Sequence, residues 1–127
     1  MPFLKAFCEV ARDARRTISE VNGPNFSVQH FKVAARMPLG NHYHGKRVET
    51  FVVLAGGGRL VTRHVGLDGK GLEEPVEEAV SAGTVIRMPP YVSHTFILEP
   101  GSEMVCYSSI RFDPDDMDMV RDVLVAA

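Results

Sequence analysis

Short apolar segments separated by glycine and proline constrain the fold of this chain most strongly. Up to residue 112, apolar runs are broken by turn-forming clusters such as Asn22-Gly23-Pro24, Gly56-Gly57-Gly58 and Pro89-Pro90. Turn signals at intervals of roughly 8–12 residues are typical of all-β sandwiches and barrels. The sequence therefore predicts an all-β fold built from many short strands.

Alternation of apolar and polar residues predicts where these strands lie. The first covers Phe3–Val10, and a strand at the chain end forms a sheet edge that must be covered or paired. We expect a second subunit to cover this edge, which predicts a homodimer. Further strands are predicted at Phe26–Arg36, Thr50–Leu54, Arg59–Val65, Val76–Val80, Thr84–Met88, Thr95–Leu98 and Glu103–Phe112.

The C-terminal residues show the one helix signal of the sequence. Asp113 suits the N-cap, Pro114 suits the first helical position, and the two aspartates that follow complement the positive end of a helix dipole. An apolar stripe is formed by Met117, Val120 and Leu124. The sequence predicts a short C-terminal helix that packs against the β-structure.

Length and charge limit the class of protein. A chain of 127 residues fits a single domain, here residues 1–127. The net charge of -2 offers no broad basic surface for nucleic acid or for an anionic membrane. No apolar run is long enough to span a membrane, and no signal-peptide pattern opens the chain. Cys8 and Cys106 are expected to be free buried thiols. We therefore expect a cytoplasmic protein without nucleic-acid or membrane partners.

Four potential metal ligands occur in two separate segments. His42 and His44 are two residues apart, so on a strand both point to the same face. Glu49 joins them if a turn or bulge at residues 45–47 corrects the odd spacing. His94 follows Pro89-Pro90 on a separate hairpin and supplies a fourth ligand. Imidazole and carboxylate groups that meet at one point form a binding site for a divalent metal.

These two segments resemble the paired motifs of the cupin superfamily. The first motif is matched by His42, His44, Glu49 and Gly56, and the second by Gly83, Pro89 and His94. Tyr91 stands where the family has a turn glycine, and Leu98 where it has an asparagine. The resemblance implies a double-stranded β-helix, or jelly-roll barrel, with one metal bound inside a small cavity.

Four protein ligands leave open positions on a five- or six-coordinate ion for water, a substrate oxygen or dioxygen. The ligand types allow one divalent transition metal, namely zinc, iron, nickel, manganese or cobalt. Such an ion can act as a Lewis acid or lower the pKa of a bound water. The alternatives are a metal that only stiffens a binding pocket, which is the stronger of the two, and four residues that bind no metal.

A narrower resemblance concerns residues 13–20 together with Gly40-Asn41-His42-Tyr43-His44. These segments are similar to cupin domains of carbohydrate biosynthesis. That group includes deoxysugar epimerases and ketoisomerases, and the C-terminal cupin of bifunctional capsular sugar-nucleotide reductase/epimerases. Arg16 replaces a glycine of that pattern, and the reductase domain is missing from this chain. The resemblance implies an isomerase or epimerase whose small-molecule substrate is a sugar or sugar nucleotide.

Proton transfer next to a carbonyl needs a general base and a general acid. The sequence candidates are His30, His64 and Tyr107, with Tyr43 beside the ligands. The structural alternative is favoured for the two histidines and for Tyr43, and is as strong as the catalytic role for Tyr107. Cationic groups suited to a diphosphate are offered by Lys32, Arg36, Arg59, Arg63 and Arg87. A ferrous-iron dioxygenase and a non-catalytic saccharide-binding or small-molecule-binding protein are the alternative functions.

Overall fold

A computed structural model of the chain describes residues 4–111, 113 and 115–127, and arranges their strands in two antiparallel sheets. The first sheet has the order β1 (Cys8–Arg12), β2 (Arg16–Asn22), β3 (Ser27–Val33), β10 (Glu103–Ser108), β5 (Glu49–Ala55) and β8 (Val85–Met88). The second has the order β11 (Val120–Arg121), β4 (Pro38–Tyr43), β9 (Val92–Leu98), β6 (Gly57–His64) and β7 (Val76–Ser81).

The connections between consecutive strands define the topology of this fold. After β3 the chain changes sheet at every connection except that between β6 and β7. Apolar residues that point inward from both sheets form one core between them. Its buried members are Val33, Leu39, Phe51, Val53, Leu60, Val80, Met88, Val92, Phe96, Leu98, Met104 and Cys106. The predicted all-β jelly-roll fold is confirmed.

Strand β9 is the most buried strand of the molecule. All seven of its residues are buried, because it lies between β4 and β6 in the second sheet. Its polar residues Ser93, His94 and Thr95 are at most 1% exposed. Burying polar side chains is costly unless they have partners. The buried histidine at the centre of this strand, His94, therefore indicates a candidate functional site.

Several predicted strands have different ends in the structure. The first begins at Cys8 rather than at Phe3, which lies outside the described residues, and it forms the edge of the first sheet. Strand β3 ends at Val33 because the N–H groups of the next two residues, Ala34 and Ala35, bond to the carbonyl of Arg15.

The two predicted buried thiols differ in the structure: Cys8 is exposed, whereas Cys106 is buried as expected. Homodimer formation through the β1 edge stays a prediction.

The predicted C-terminal helix is wrong, since the described residues 113 and 115–127 contain no helix. Instead β11 pairs with β4, with Val120 opposite Tyr43 and Arg121 opposite His42. The N–H groups of Leu124 and Val125 bond to the side-chain oxygen of Asn41, at 2.9 and 3.2 Å. These long-range bonds outweigh the local helix-capping preference. Pro114, the predicted first helical residue, lies outside the described part of the chain.

Within the described part of the chain, no helix has the length and apolar character that crossing a membrane requires.

Candidate metal centre

Neighbouring strands β4 and β9 bring the first two imidazoles together. His42 lies directly opposite His94 in the antiparallel pair, just after an irregularity between Gly40 and His42. Gly40 has φ 124° and Asn41 has φ 56°, which produces the local bend. A Cβ on Gly40 would lie 2.6 Å from the carbonyl oxygen of His94, so only glycine fits there. The ring centroids of His42 and His94 are 4.8 Å apart.

A tight bend after His44 returns Glu49 to the same site, as the sequence pattern required. The carboxylate of Asp118 accepts hydrogen bonds from the backbone N–H groups of Gly45, Lys46 and Arg47, at 2.9, 3.1 and 2.9 Å. Successive backbone donors around one anion form a stable nest. Asp118 thus holds the loop between the second histidine and the glutamate.

Four side chains meet at one point: one each from β4, β9 and the start of β5, and one from the residue that follows β4. The ligand atoms of His42, His44, Glu49 and His94 all lie within 4.8 Å of one another. Glu49 Oε1 is 2.8 Å from His44 Nε2 and 3.5 Å from His94 Nε2. These three atoms are buried and have no partner with hydrogen-bond geometry. Because unpaired buried polar atoms are costly, the arrangement fits a cation that would satisfy all of them.

Backbone carbonyls orient two of the imidazoles. His44 Nδ1 lies 2.5 Å from the carbonyl oxygen of Asp118, and His94 Nδ1 lies 3.0 Å from that of Val92. A carbonyl can only accept, so Nδ1 carries the proton in both rings. In the neutral form of each ring, the lone pair of Nε2 is then directed into the site. Metal-binding histidines are typically held by such a bond from the second ring nitrogen.

The charge states of the cluster also suit a cation. Burial, together with the positive charges that His94 and His44 would carry, lowers the pKa of His42 to about 3. Burial alone would raise the pKa of the Glu49 carboxyl, but hydrogen bonds and positive charge from protonated His44 and His94 outweigh burial, so the pKa falls below its ordinary value. At neutral pH the site therefore offers a neutral His42 imidazole and a carboxylate, the forms that bind metal.

The four residues line a cavity of about 560 Å³ inside the barrel. Its charged and polar lining beside them consists of Arg15, Arg16, Arg47, Arg121, Glu20 and Gln29. Its apolar lining includes Ile18, Phe31, Leu39, Phe51, Phe96, Met104, Met117 and Met119. A mostly apolar cavity with a few charged groups is the usual form of a small-molecule site.

None of the three candidate proton-transfer residues is among the residues that line this cavity. His30 Nε2 is 3.1 Å from a carboxylate oxygen of Glu103. The His64 side chain is 67% exposed, with Nδ1 2.6 Å from Glu73. Tyr107 is exposed and stacks on Phe26. Their catalytic roles stay predictions, and these positions do not favour them.

The predicted diphosphate-binding cations are also elsewhere, because none of the five is among the lining residues. Arg36 and Arg63 form ion pairs with Glu99 and Asp122, and Arg59 pairs with Glu77. The cavity instead takes its arginines from β2, from the segment before β2, from the bend after His44 and from β11.

Sequence reasoning missed Asp118 and the contribution of the C-terminal segment to the cavity. Asp118 bonds to residues more than 70 positions away in the chain, so no local pattern could reveal it. Arg15 and Arg16 were visible only as part of the resemblance around residue 13.

A two-sheet jelly roll with three histidines and one glutamate facing its cavity is the architecture of a cupin. The chain belongs to the family described as the polysaccharide biosynthesis C-terminal domain, whose family model matches residues 11–120. No curated protein matches the chain in sequence.

Solved structures share the fold at low sequence identity. The capsular polysaccharide assembling protein CapF from Staphylococcus aureus aligns with a TM-score of 0.75 and 23% identity, over 94% of this chain and 32% of CapF. This chain thus spans about a third of the length of CapF. The nucleoside dehydratase Pac13 from Streptomyces aligns with a TM-score of 0.64 and 15% identity, over 92% of this chain and 87% of Pac13. Oxalate decarboxylase from Bacillus subtilis gives a TM-score of 0.65 and 14% identity, over 87% of this chain and 29% of that enzyme.

Proposed function

We propose that this chain is a single-domain, metal-dependent cupin that isomerises or epimerises a sugar or sugar nucleotide in polysaccharide biosynthesis. The observation that carries the proposal is the convergence of His42, His44, Glu49 and His94 beside the cavity. Three of their buried atoms lack hydrogen-bond partners, and each would cost the fold about 1–3 kcal/mol if nothing bound there. A divalent cation would satisfy them together.

Three imidazoles and one carboxylate would hold zinc, iron, nickel, manganese or cobalt. When bound, such an ion would supply Lewis-acid polarisation of a substrate oxygen. Apolar side chains, with Phe51 and Phe96 among the buried ones, would surround that oxygen on part of the cavity wall. Electrostatic interactions are stronger beside apolar, low-dielectric groups than in bulk water.

The cavity has cationic groups for an anionic substrate. Arg15, Arg16 and Arg121 line it, and guanidinium groups bind phosphate oxygens through paired hydrogen bonds. Asp13 holds the first two arginines through ion pairs, with Arg15 at 2.9 Å. This pairing fixes their side chains before a ligand arrives. A sugar nucleotide has the phosphate charge that this lining would bind.

Descriptions of the relatives support the same class of substrate. The matching family is one of polysaccharide biosynthesis, and CapF is described as a capsular polysaccharide assembling protein. Pac13 is described as a nucleoside dehydratase, and one of its structures contains uridine. Together with the arginines, these descriptions favour a nucleotide-linked sugar over a neutral saccharide.

Epimerisation next to a carbonyl requires a residue that takes up the adjacent proton. Glu20 is the carboxylate that the described lining offers beside Glu49. Its two oxygens accept hydrogen bonds from Gln29 at 2.8 Å and from Asn22 at 3.0 Å, which fix the group in the cavity wall. We assign proton transfer to Glu20 in preference to His30, His64 and Tyr107, which do not line the cavity.

The metal part of the proposal is tested by elemental analysis of the purified protein. We expect close to one transition metal per chain, and a loss of affinity of more than about 100-fold for His94→Ala, since even partners of metal ligands contribute 10–100-fold. His64→Ala is the matched control, because this histidine is exposed and paired with Glu73. Absence of metal in the wild-type protein would refute the proposal.

The reaction is tested separately with keto-sugar nucleotides in deuterated water. We expect the metal-loaded protein to incorporate solvent deuterium next to the carbonyl, and Glu20→Gln to lose this exchange while it still binds metal. Bound iron with substrate-dependent oxygen uptake would instead indicate a dioxygenase. Ligand binding without exchange or oxygen uptake would indicate a non-catalytic binding protein.

A further inference from the structure

A buried thiol touches the glutamate of the metal centre. Cys106 lies on β10, is 2% exposed, and donates a hydrogen bond from Sγ to Glu49 Oε2 over 3.3 Å. The other carboxylate oxygen, Oε1, faces His44 and His94 and has no hydrogen-bond partner. The two oxygens of one carboxylate therefore have different surroundings.

The register of the sheet explains this contact. Ser108 is the direct cross-strand partner of Glu49, and Cys106 is the partner of Phe51. Residues two apart on a strand share a face, so Cys106 is the diagonal neighbour of Glu49 on the inner side. The contact thus follows from the pairing of two central strands and does not depend on a mobile loop.

The thiol does not belong to the group of ligands itself. Among the described residues, the group whose ligand atoms lie within 4.8 Å of one another contains the three histidines and Glu49, but not Cys106. An effect of the thiol on a metal would therefore pass through the carboxylate. A glutamate needs such help because its terminal torsion is broad, which leaves the carboxylate free to rotate.

From these contacts we infer that Cys106 is a positioning residue of the metal centre. Its S–H group occupies Oε2 of Glu49 and keeps Oε1 directed at His44 and His94, which leaves that oxygen for the metal. This inference rests on the proposed metal site and adds a residue that neither paired motif contains. Partners that orient metal ligands commonly raise metal affinity by about 10–100-fold.

The competing explanation is that Cys106 only fills space in the core, where a free cysteine acts as a small apolar residue. The two explanations are distinguished by substitutions that change the hydrogen-bond donor and the side-chain volume at residue 106 separately. Cys106→Ser keeps an O–H donor in a slightly smaller side chain, whereas Cys106→Ala removes the donor. Cys8→Ala is the control for loss of a thiol as such, because Cys8 is exposed.

Metal affinity is measured by titrating metal-free protein with Zn²⁺ in competition with a chromogenic chelator. We expect Cys106→Ala to bind about 10-fold or more weakly, Cys106→Ser to stay within about 3-fold of the wild type, and Cys8→Ala to be unchanged. Urea denaturation of the metal-free variants shows whether they are folded. Equal affinities for the alanine and serine variants would overturn the inference.

Absorption spectra of the Co²⁺-loaded proteins test the position of the sulfur. We expect no sulfur-to-cobalt charge-transfer band in the wild-type protein, and d–d bands that shift in Cys106→Ala but not in Cys106→Ser. A charge-transfer band that disappears in both variants would make Cys106 a ligand and overturn its positioning role. If the wild-type protein binds no metal, the proposed function and this inference fail together; equal binding by wild type and Cys106→Ala refutes only the inference.

Discussion

The cavity has two walls that different interactions hold in place. One wall consists of strands β4 and β9, and the other is the C-terminal segment 115–127. The two strands are paired to each other from Pro38 to His42, with one irregularity after Gly40, and β9 is paired to β6 on its other side. The C-terminal segment pairs with β4 over only two residues. Side chains provide most of its remaining attachment. Of the four metal ligands, His42 and His94 are therefore on the rigid wall, and the other wall is the easier one to detach.

The C-terminal segment alternates in its contacts. Asp118 and Asp122 anchor it: Asp118 binds the bend after His44, and Asp122 accepts a bond from Ser93 at 2.5 Å and pairs with Arg63 at 2.9 Å. The residues between and before them, Met117, Met119 and Arg121, line the cavity. This period of two is that of an extended chain, although Asp118 itself has φ 46°. The segment thus presents flexible side chains to a ligand while its aspartates hold the backbone.

Among the substitutions considered, we expect the largest loss of stability from replacing Asp118, the residue through which the C-terminal segment contacts the bend after β4. Asp118→Ala leaves three backbone N–H groups without their acceptor and should lower the free energy of unfolding by about 2–4 kcal/mol, measured by urea denaturation of the metal-free protein. Zn²⁺ affinity should fall by about 10–100-fold, because the bend positions His44 and Glu49.

Asp116→Ala is the matched control for Asp118. Asp116 lies in the same segment, but its ion pair with Lys46 is exposed at the surface. Exposed pairs contribute little, so stability and metal affinity should stay close to those of the wild type. Equal effects of the two substitutions would mean that the bend does not depend on the Asp118 carboxylate.

A smaller effect is expected from Asn41→Gly, which detaches the end of the C-terminal segment. Asn41 has φ 56°, so glycine suits the backbone and only the side-chain bonds to Leu124 and Val125 are lost. We expect a loss of about 1–2 kcal/mol in unfolding free energy. Hydrogen exchange should accelerate at the amides of Leu124 and Val125 but not within the ladder between β4 and β9.

Asn25→Gly provides the same substitution in an exposed turn and should leave both sets of amides unchanged. Faster exchange in the β4–β9 ladder of Asn41→Gly would contradict the comparison, because the two walls would then open as one unit. Unchanged exchange at Leu124 and Val125 would show that the side chain of Asn41 does not hold the segment.

The contrast between the two walls also explains which parts of the structure the sequence could predict. The spacing of His42, His44, Glu49 and His94 depends on strand periodicity and short turns, which local patterns encode, and the structure brings these residues together. The prediction of a C-terminal helix failed because bonds to distant residues such as Asn41 compete with the local helix cap that Asp113 would provide. The residues His30, His64 and Tyr107 were chosen by chemical type, and strand patterning alone did not show which face lines the cavity.

The smallest expected effect concerns Tyr91, which joins the two motif segments. Its N–H group donates to the carbonyl of His44 at 2.8 Å, and its ring packs 5.8 Å from that of Tyr43. Tyr91 has φ 59°, the conformation of the glycine that the resemblance led us to expect there. The turn has therefore kept a backbone shape that costs a side chain about 1–2 kcal/mol.

Two substitutions of Tyr91 separate ring packing from backbone strain. Tyr91→Gly loses the ring contact, worth about 0.5–1.5 kcal/mol, but relieves the strain, so its net effect should be within about 1 kcal/mol of the wild type. Tyr91→Ala loses the same contact and keeps the strain, so it should be less stable than the glycine variant by about 1 kcal/mol. Urea denaturation of both variants measures this difference directly, because the missing ring is common to them. If the alanine variant equals or exceeds the glycine variant in stability, the turn before β9 does not hold residue 91 at positive φ in solution, and His44 and His94 must be connected in another way.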